Sequence, residues 1–309
     1  MKKRIFIGCI LFFTLCHGNS QNTITIPENS SKILFLGNSI TYSGQYISYI
    51  EAYLMLQYPE RKLEFINVGL PSETVSGLSE PNHAQGKFPR PELKERLHRI
   101  LSMVKPDLVF ANYGINDGIY LLYDDDRFQK FKDGILWMHN EVVNTGADII
   151  HLTPPVYDGS NAEAYDNVMD IYSDWLISRR FTHDWKVIDI HDPMKRQLQE
   201  QRVQNPKFTF APDGVHPNNN GHWVMAQQVL LSLGENNTAL YNTVEKAMGS
   251  FENGKQVLEI VEEKQALVKD AWLTATGHKR PGMTHGKSLQ DLQLITGLLE
   301  KQLAKLLNQ

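Results

Sequence analysis

The chain has 309 residues, with 31 Lys and Arg against 35 Asp and Glu and 41% hydrophobic residues, which excludes wholesale disorder and collagen-like repeats. Its formal net charge of −4 gives no basic footprint for nucleic acid, and a mean hydropathy of −0.35 excludes a polytopic membrane protein. Two cysteines cannot build a disulfide framework or a four-cysteine zinc site, and the length suits roughly two domains or one large domain with an appendage.

The N-terminus reads as an export signal. Lys2-Lys3-Arg4 is a basic segment, and Ile5 to Leu15 is an apolar run too short to span a bilayer. Gly18 and Ser20 are small residues suited to cleavage before Gln21. Cleavage there removes three basic residues and no acid, so the net charge falls to −7 over 289 residues. Cys9 and Cys16 leave with the signal, which excludes thiol nucleophiles, cysteine-zinc sites and disulfides from the mature chain. The expected location is periplasmic or secreted.

Strands and helices then alternate. Apolar runs at 33–36, 63–68, 108–111, 149–152 and 187–190 read as strands buried on both faces, as a parallel sheet requires. Leu93, Leu97, Ile100, Leu101 and Val104 recur at helical spacing, as do Phe128, Phe131, Ile135 and Met138. Asp124-Asp125-Asp126 reads as a helix-capping turn, and 163–179 and 221–233 as further helices. The series predicts an α/β fold, a three-layer α/β/α sandwich on a five-stranded parallel sheet over residues 31–235, with right-handed crossovers. Ligands bind outside the carboxyl ends of such strands, at loops that here carry distinctive residues.

After the first strand comes Gly37-Asn38-Ser39-Ile40. After the second comes Asn67-Val68-Gly69-Leu70-Pro71-Ser72. After the third comes Tyr113-Gly114-Ile115-Asn116-Asp117, and beyond the fifth comes Asp213-Gly214-Val215-His216-Pro217. Each is weak alone; the four in this order are specific. Together they resemble the SGNH hydrolases, the superfamily that includes the GDSL esterases and lipases, over about residues 31–235. That resemblance implies a flavodoxin-like SGNH fold and a serine esterase. It implies Ser39 as nucleophile, Asp213 and His216 as the rest of the triad, and Ser39, Gly69 and Asn116 as oxyanion-hole donors. The first block reads Gly-Asn-Ser-Ile rather than Gly-Asp-Ser-Leu, and Ser72 stands where a further glycine is frequent.

The chemistry suits these residue types. A serine hydroxyl needs an adjacent base, and His216 can take its proton and return it to the leaving alcohol. Asp213, three residues earlier, can orient the imidazole and stabilise its cation. Glycine at 69 leaves its N–H approachable. The chain has no G-x-S-x-G, so the nucleophile elbow of the α/β-hydrolases is not supported. No metal-ligand spacing occurs, and no cofactor is implied. His222 is a rival base without an acid at the right offset. His191-Asp192 closes the fifth strand near the site, and His151 reads as a core histidine. Tyr42, Tyr113, Tyr120 and Tyr123 lie near the motif loops. Of these groups, Tyr42, Tyr113 and Asp117 are candidate substrate contacts.

Residues 236–309 read as a C-terminal helical hairpin. Val257, Ile260, Val261, Leu267, Val268 and Trp272 share a helix stopped near Gly277, and Ser288 with Asp291 caps a second. Its apolar stripe suits packing on the sandwich, with homodimerisation as the alternative. The polar link 276–283 carries Arg280, a further candidate substrate contact at the rim.

The reading reached is an exported carboxylic ester hydrolase acting through an acyl-enzyme, with O-acetyl groups on carbohydrates as preferred substrate. The partner is a small-molecule or polysaccharide ester. The alternatives on the same triad are lysophospholipase, thioesterase or acyltransferase activity, and a non-catalytic carbohydrate-binding protein is the non-enzymatic one.

Overall fold

The computed structural model describes residues 24–28, 30–159 and 162–308. The segment read as an export signal lies outside the described residues, and so do both cysteines. No helix among the described residues is long and apolar enough to cross a membrane.

Five strands, β1 (Lys32–Gly37), β2 (Glu64–Asn67), β3 (Leu108–Asn112), β4 (Asp148–Leu152) and β5 (Lys186–Ile188), form one parallel sheet in the order β2-β1-β3-β4-β5. All of β3 and all but the first residue of β1 are buried, which explains their unbroken apolar runs. Phe35 in β1 stacks between Phe65 and Phe110 of the flanking strands, with ring centroids 5.6 and 5.1 Å away.

Helices cover both faces. With the right-handed crossovers that parallel strands take, α2 (Gln45–Gln57), between β1 and β2, lies on one side, where α7 (Asn219–Ser232), after the last strand, packs on it. The same crossovers put α3 (Leu97–Val104), α4 (Asp125–Val143) and α5 (Ala162–Thr182) on the other. Asp124 caps α4 as its sequence suggests, accepting the Arg127 N–H at 2.9 Å.

Two helices show no amphipathic stripe in the sequence, for opposite reasons. The segment after β1 folds into α1 (Ser39–Ser43) and α2, separated by Gly44 in the left-handed region at φ 82°. Helix α2 is buried from Tyr46 to Leu54 without interruption, because the sheet, α7 and the C-terminal helices surround it. A helix buried all round has no amphipathic stripe to read. Helix α6 (His191–Gln204) is the reverse case: it buries only His191, Met194 and Leu198. His191-Asp192 therefore opens this helix rather than closing β5, which ends at Ile188. Thr153 Oγ1 receives the N–H groups of Ile190 and His191 there, at 2.8 and 2.9 Å.

The C-terminal residues form α8 (Val244–Met248), α9 (Gly254–Thr276) and α10 (Leu289–Leu307). Ser288 caps α10, accepting the Asp291 N–H at 3.1 Å. Helix α9 runs against α2 and the β2 edge, and α10 packs on α9. Gln265 of α9 donates to the Phe65 carbonyl of β2 at 3.1 Å, which caps a backbone group that the sheet edge leaves unpaired. Lys264 and Gln265 both donate to the carboxylate of Glu51, and all three side chains are buried. The hairpin is thus locked to the sandwich by a polar cluster as well as by its apolar stripe.

A buried charge left without its partner is costly, so Lys264→Ala should lower the unfolding free energy by roughly 3–5 kcal/mol. Combining Glu51→Gln with Lys264→Met should recover most of that loss. Chemical denaturation of both variants checks this, and an undiminished stability of Lys264→Ala would show that the cluster holds nothing.

Candidate active site

The loops at the carboxyl ends of β1, β2 and β3 meet where the strand order reverses, between β1 and its neighbours. Strand β1 ends at Gly37, and α1 starts two residues later at Ser39. A Cβ on Gly37 would sit 2.1 Å from Thr41 Oγ1 and 2.8 Å from the Asn112 carbonyl, so only glycine lets the chain turn back this tightly. Asn38 caps α1, its Oδ1 accepting the Ile40 N–H at 3.0 Å. The cap puts Ser39 at the first helical position, where its own N–H has no hydrogen-bond partner among the described residues.

His216 reaches Ser39 from the loop before α7. Its Nε2 lies 2.8 Å from Ser39 Oγ, and its Nδ1 lies 2.6 Å from Asp213 Oδ2. The acceptor on the far side fixes the Nδ1–H tautomer and leaves Nε2 to accept the serine proton. Asp213 Oδ1 also accepts the N–H groups of Val215 and His216, at 2.9 and 2.7 Å. Partial burial opposes the Asp213 charge, but the His216 and Val215 donors outweigh it and hold the carboxyl below its usual range. Asn218 anchors the end of this loop by capping α7, with its Oδ1 on the Gly221 N–H at 3.0 Å.

The loop after β2 departs from expectation. Gly69 donates its N–H to Asn67 Oδ1 at 2.9 Å, while Asn67 Nδ2 donates to the Thr41 carbonyl at 2.6 Å. The Gly69 N–H is therefore committed within the chain, and this corrects its expected place as an oxyanion donor. Glycine is needed at 69 for contact: a Cβ would lie 2.3 Å from the Tyr42 nitrogen. Three residues on, Ser72 stands in the left-handed region at φ 69°, and its N–H makes no hydrogen bond among the described residues. The free donor of this loop is Ser72.

The next residue, Glu73, binds the loop to the protein interior. Its carboxylate takes Arg96 Nε and Nη2 at 2.6 and 2.7 Å and the Tyr113 hydroxyl at 2.7 Å, all fully buried. Burial disfavours the Arg96 charge, but the Glu73 carboxylate prevails and raises its pKa. The Glu73 carbonyl accepts from Asn116 Nδ2 at 3.1 Å, and Tyr120 donates to Asn116 Oδ1 at 2.8 Å. These two bonds fix the Asn116 carboxamide beside the Ser72–Glu73 segment and leave one Nδ2 hydrogen uncommitted.

Two expected substrate contacts are overturned. Tyr113 is buried against Glu73. Asp117 is wholly buried and takes three backbone N–H groups, from Val75 and Ser76 at 2.9 Å each and from Gly114 at 3.0 Å. It staples the loop after β2 to the loop after β3. Tyr42 stays half-buried at the rim, with Lys269 of α9 above its ring at 4.0 Å. Arg280 also reaches the rim, where its Nε donates to the Pro71 carbonyl at 2.9 Å. Sequence reasoning missed Glu73, Arg90, Arg96 and Tyr120 as supports of the site, because nothing in their spacing shows which loop they meet.

The other titratable groups are accounted for elsewhere. The rival base His222 is buried, stacks on Tyr46 at 6.0 Å, and has no hydrogen-bond partner on either ring nitrogen among the described residues. His151 is a core histidine as expected, stacked with His139 and Trp185. His191 pairs with Asp170 at 2.8 Å, not with the triad. Asp166, Asp170 and His191 form a cluster of metal-ligand types, but the Lys195 ammonium already bridges the two carboxylates at 2.8 and 2.6 Å.

A serine, a histidine and a carboxylate hydrogen-bonded in line, beside loop donors at the ends of parallel strands, are the groups that an α/β serine hydrolase uses. Residues 35–224 match the GDSL-like Lipase/Acylhydrolase family, and the chain belongs to that family, within the SGNH hydrolases and their carboxylic ester hydrolases. It is 25% identical over 229 residues to an acetylxylan esterase of Geobacillus stearothermophilus, a span of 67% of this chain and 95% of that one. A solved acetylxylan esterase structure from the same organism aligns at 23% identity and TM-score 0.54, over 68% of this chain and 97% of the other. A gut microbial diltiazem-metabolizing enzyme shares the fold at 21% identity and TM-score 0.54 over 69% of this chain, which spans 49% of that protein. Helices α8, α9 and α10 lie beyond the family match.

Burial lowers the pKa of His222 from its ordinary 6.5 to about 3, with the nearby His216 adding to the effect. The unfolded chain takes up a proton near pH 6.5 that the folded chain refuses until about pH 3, so stability is lost as pH falls through that window. His222→Phe, which keeps a ring against Tyr46, should flatten the fall between pH 6 and 5 by up to about 1.4 kcal/mol per unit. Denaturation curves at the two pH values measure it; parallel losses in both proteins would refute the assignment.

Proposed function

We propose that this protein is a serine esterase that removes short O-acyl groups, chiefly acetyl, from carbohydrates through an acyl-enzyme, and that it works after export, in the periplasm or outside the cell. The reading is carried by the continuous line from Ser39 Oγ through His216 to Asp213, with gaps of 2.8 and 2.6 Å.

Ser39 Oγ attacks the ester carbonyl carbon while His216 Nε2 takes its proton. The new oxyanion is met by the N–H of Ser39 at the start of α1, the N–H of Ser72 and the free Nδ2 hydrogen of Asn116. Collapse of the tetrahedral intermediate breaks the bond to the alcohol oxygen, which receives the proton from His216. Water then attacks the acyl carbonyl and gives its proton to His216, and collapse breaks the bond to Ser39 Oγ, which takes that proton back as the carboxylic acid leaves. Asp213 keeps the imidazole oriented and offsets its charge in both halves.

The carbohydrate assignment rests on the likeness to an acetylxylan esterase along 95% of that relative. It also rests on Tyr42, three residues after Ser39, whose aromatic ring is paired with the Lys269 ammonium at 4.0 Å.

Acetate release from 4-nitrophenyl acetate and from acetylated xylo-oligosaccharides should be readily measured for wild type. Ser39→Ala should reduce kcat by about 10⁴-fold or more. Release that survives the substitution would sink the mechanism. A clear preference for lysophospholipids or acyl thioesters over acetylated sugars would replace the substrate class, and acyl transfer to sugar hydroxyls outpacing hydrolysis would make the protein a transferase.

A further inference from the structure

The C-terminal helices contribute to the active site a residue that the family match, ending at residue 224, does not contain. Arg280 lies in the link between α9 and α10, and its Nε donates to the Pro71 carbonyl oxygen at 2.9 Å. Pro71 C=O and Ser72 N–H belong to one peptide group. The chain has no cis peptide among the described residues, so the two bonds point in opposite directions from one rigid plane. A guanidinium seated on the oxygen end therefore sets the direction of the N–H and, by polarising the amide, strengthens it as a donor.

The segment needs such a hold. Ser72 is a non-glycine residue at φ 69°, a conformation that costs energy and persists only when its surroundings impose it. Three arginines impose it on consecutive residues. Arg280 grips the Pro71 carbonyl, Arg90 Nη1 grips the Ser72 carbonyl at 3.3 Å, and Arg96 grips the Glu73 carboxylate. Arg90 is itself held by Glu80, at 2.6 and 2.8 Å. Arg280 is seated by its neighbours, with Nη1 on the Pro281 carbonyl at 3.1 Å and its plane 5.4 Å from the Phe88 ring. Its placement depends on α9, which the Glu51 cluster locks to the sandwich.

We propose that Arg280 is a positioning residue for the oxyanion hole: the C-terminal hairpin completes the active site by fixing and polarising the Pro71–Ser72 peptide. This rests on the esterase reading above and assigns the hairpin a part in it. It differs from a role in holding substrate, since Arg280 acts through the peptide it grips.

The test compares Arg280→Ala and Arg280→Lys with wild type in three measurements: kinetics on 4-nitrophenyl acetate, thermal unfolding, and hydrogen exchange of the segment 68–76. Arg280→Ala should lower kcat about 10- to 100-fold, short of the 10²–10³ that follows outright removal of an oxyanion donor. KM should change less than about threefold, since the interaction is made with the transition state. Exchange in 68–76 should quicken while the central strands stay protected. Arg280→Lys keeps a cationic donor near the carbonyl and should return kcat to within about fivefold of wild type. Three results would overturn the proposal: kcat within about twofold of wild type, a rise in KM at constant kcat, which would make Arg280 a substrate contact, or unchanged exchange in 68–76. If wild type cleaves no ester, the functional reading fails by itself, and the exchange data still decide whether Arg280 holds the loop.

Discussion

Glu73 is the group on which the active-site architecture depends. A carboxylate with no exposed surface is tolerable only if its charge is answered, and here Arg96 answers it with two hydrogen bonds and Tyr113 with a third. Arg96 reaches further, to the Val68 carbonyl at 2.8 Å, so the same cation braces the end of β2. The backbone of Glu73 meanwhile takes the Asn116 side chain. One residue thus joins the loop after β2, the loop after β3 and the helix α3 region that supplies Arg96. With Glu73 replaced by a neutral residue, Arg96 and Tyr113 would be left buried without their partner, and the Ser72–Glu73 segment and Asn116 would lose their common support.

Around that centre the protein repeats one device: a side chain closes each backbone gap that the parallel sheet leaves open at its strand ends. Asn38 caps α1, Asn67 bridges to Thr41, Thr153 receives two N–H groups at the start of α6, and Asp117 receives three. These residues are buried and polar, and each meets its backbone partners locally, although Asn38 Nδ2 has no partner among the described residues. Asp213 and His216 are different: both stay largely exposed, held by a short loop whose own N–H groups bind the aspartate. The supports are buried, while Asp213 and His216 are exposed.

Much of this was legible in the chain. Five apolar runs gave the strands within a residue or two, because strands buried on both faces show no alternation to blur them. Ser39 stood out because its block sits where β1 ends, and Asp213 and His216 because an acid stands three residues before a histidine ahead of the last helix of the sandwich; the structure brings these three together. The failures have physical causes. Helix α2 was hidden by burial on every side and α6 by its polarity. Tyr113 and Asp117 looked like substrate contacts because they flank Asn116, but flanking residues in a tight loop point to different sides, and these two point inward. Gly69 looked like a donor because glycine exposes its N–H; the nearby Asn67 had already taken it.

The sequence by itself determined the sheet and the family and marked out Ser39, His216 and Asp213, since each rests on local composition or on short spacings that survive without three-dimensional context. Only the tertiary structure decided which backbone N–H is free, which polar residues are supports, and where the C-terminal helices dock. Those outcomes depend on pairs far apart in the chain: Lys264 with Glu51, Arg96 with Glu73, Arg280 with Pro71. A hydrogen bond between residues separated by tens or hundreds of positions leaves no periodicity in the sequence, because it is fixed by the packing of whole elements and not by the residues that make it.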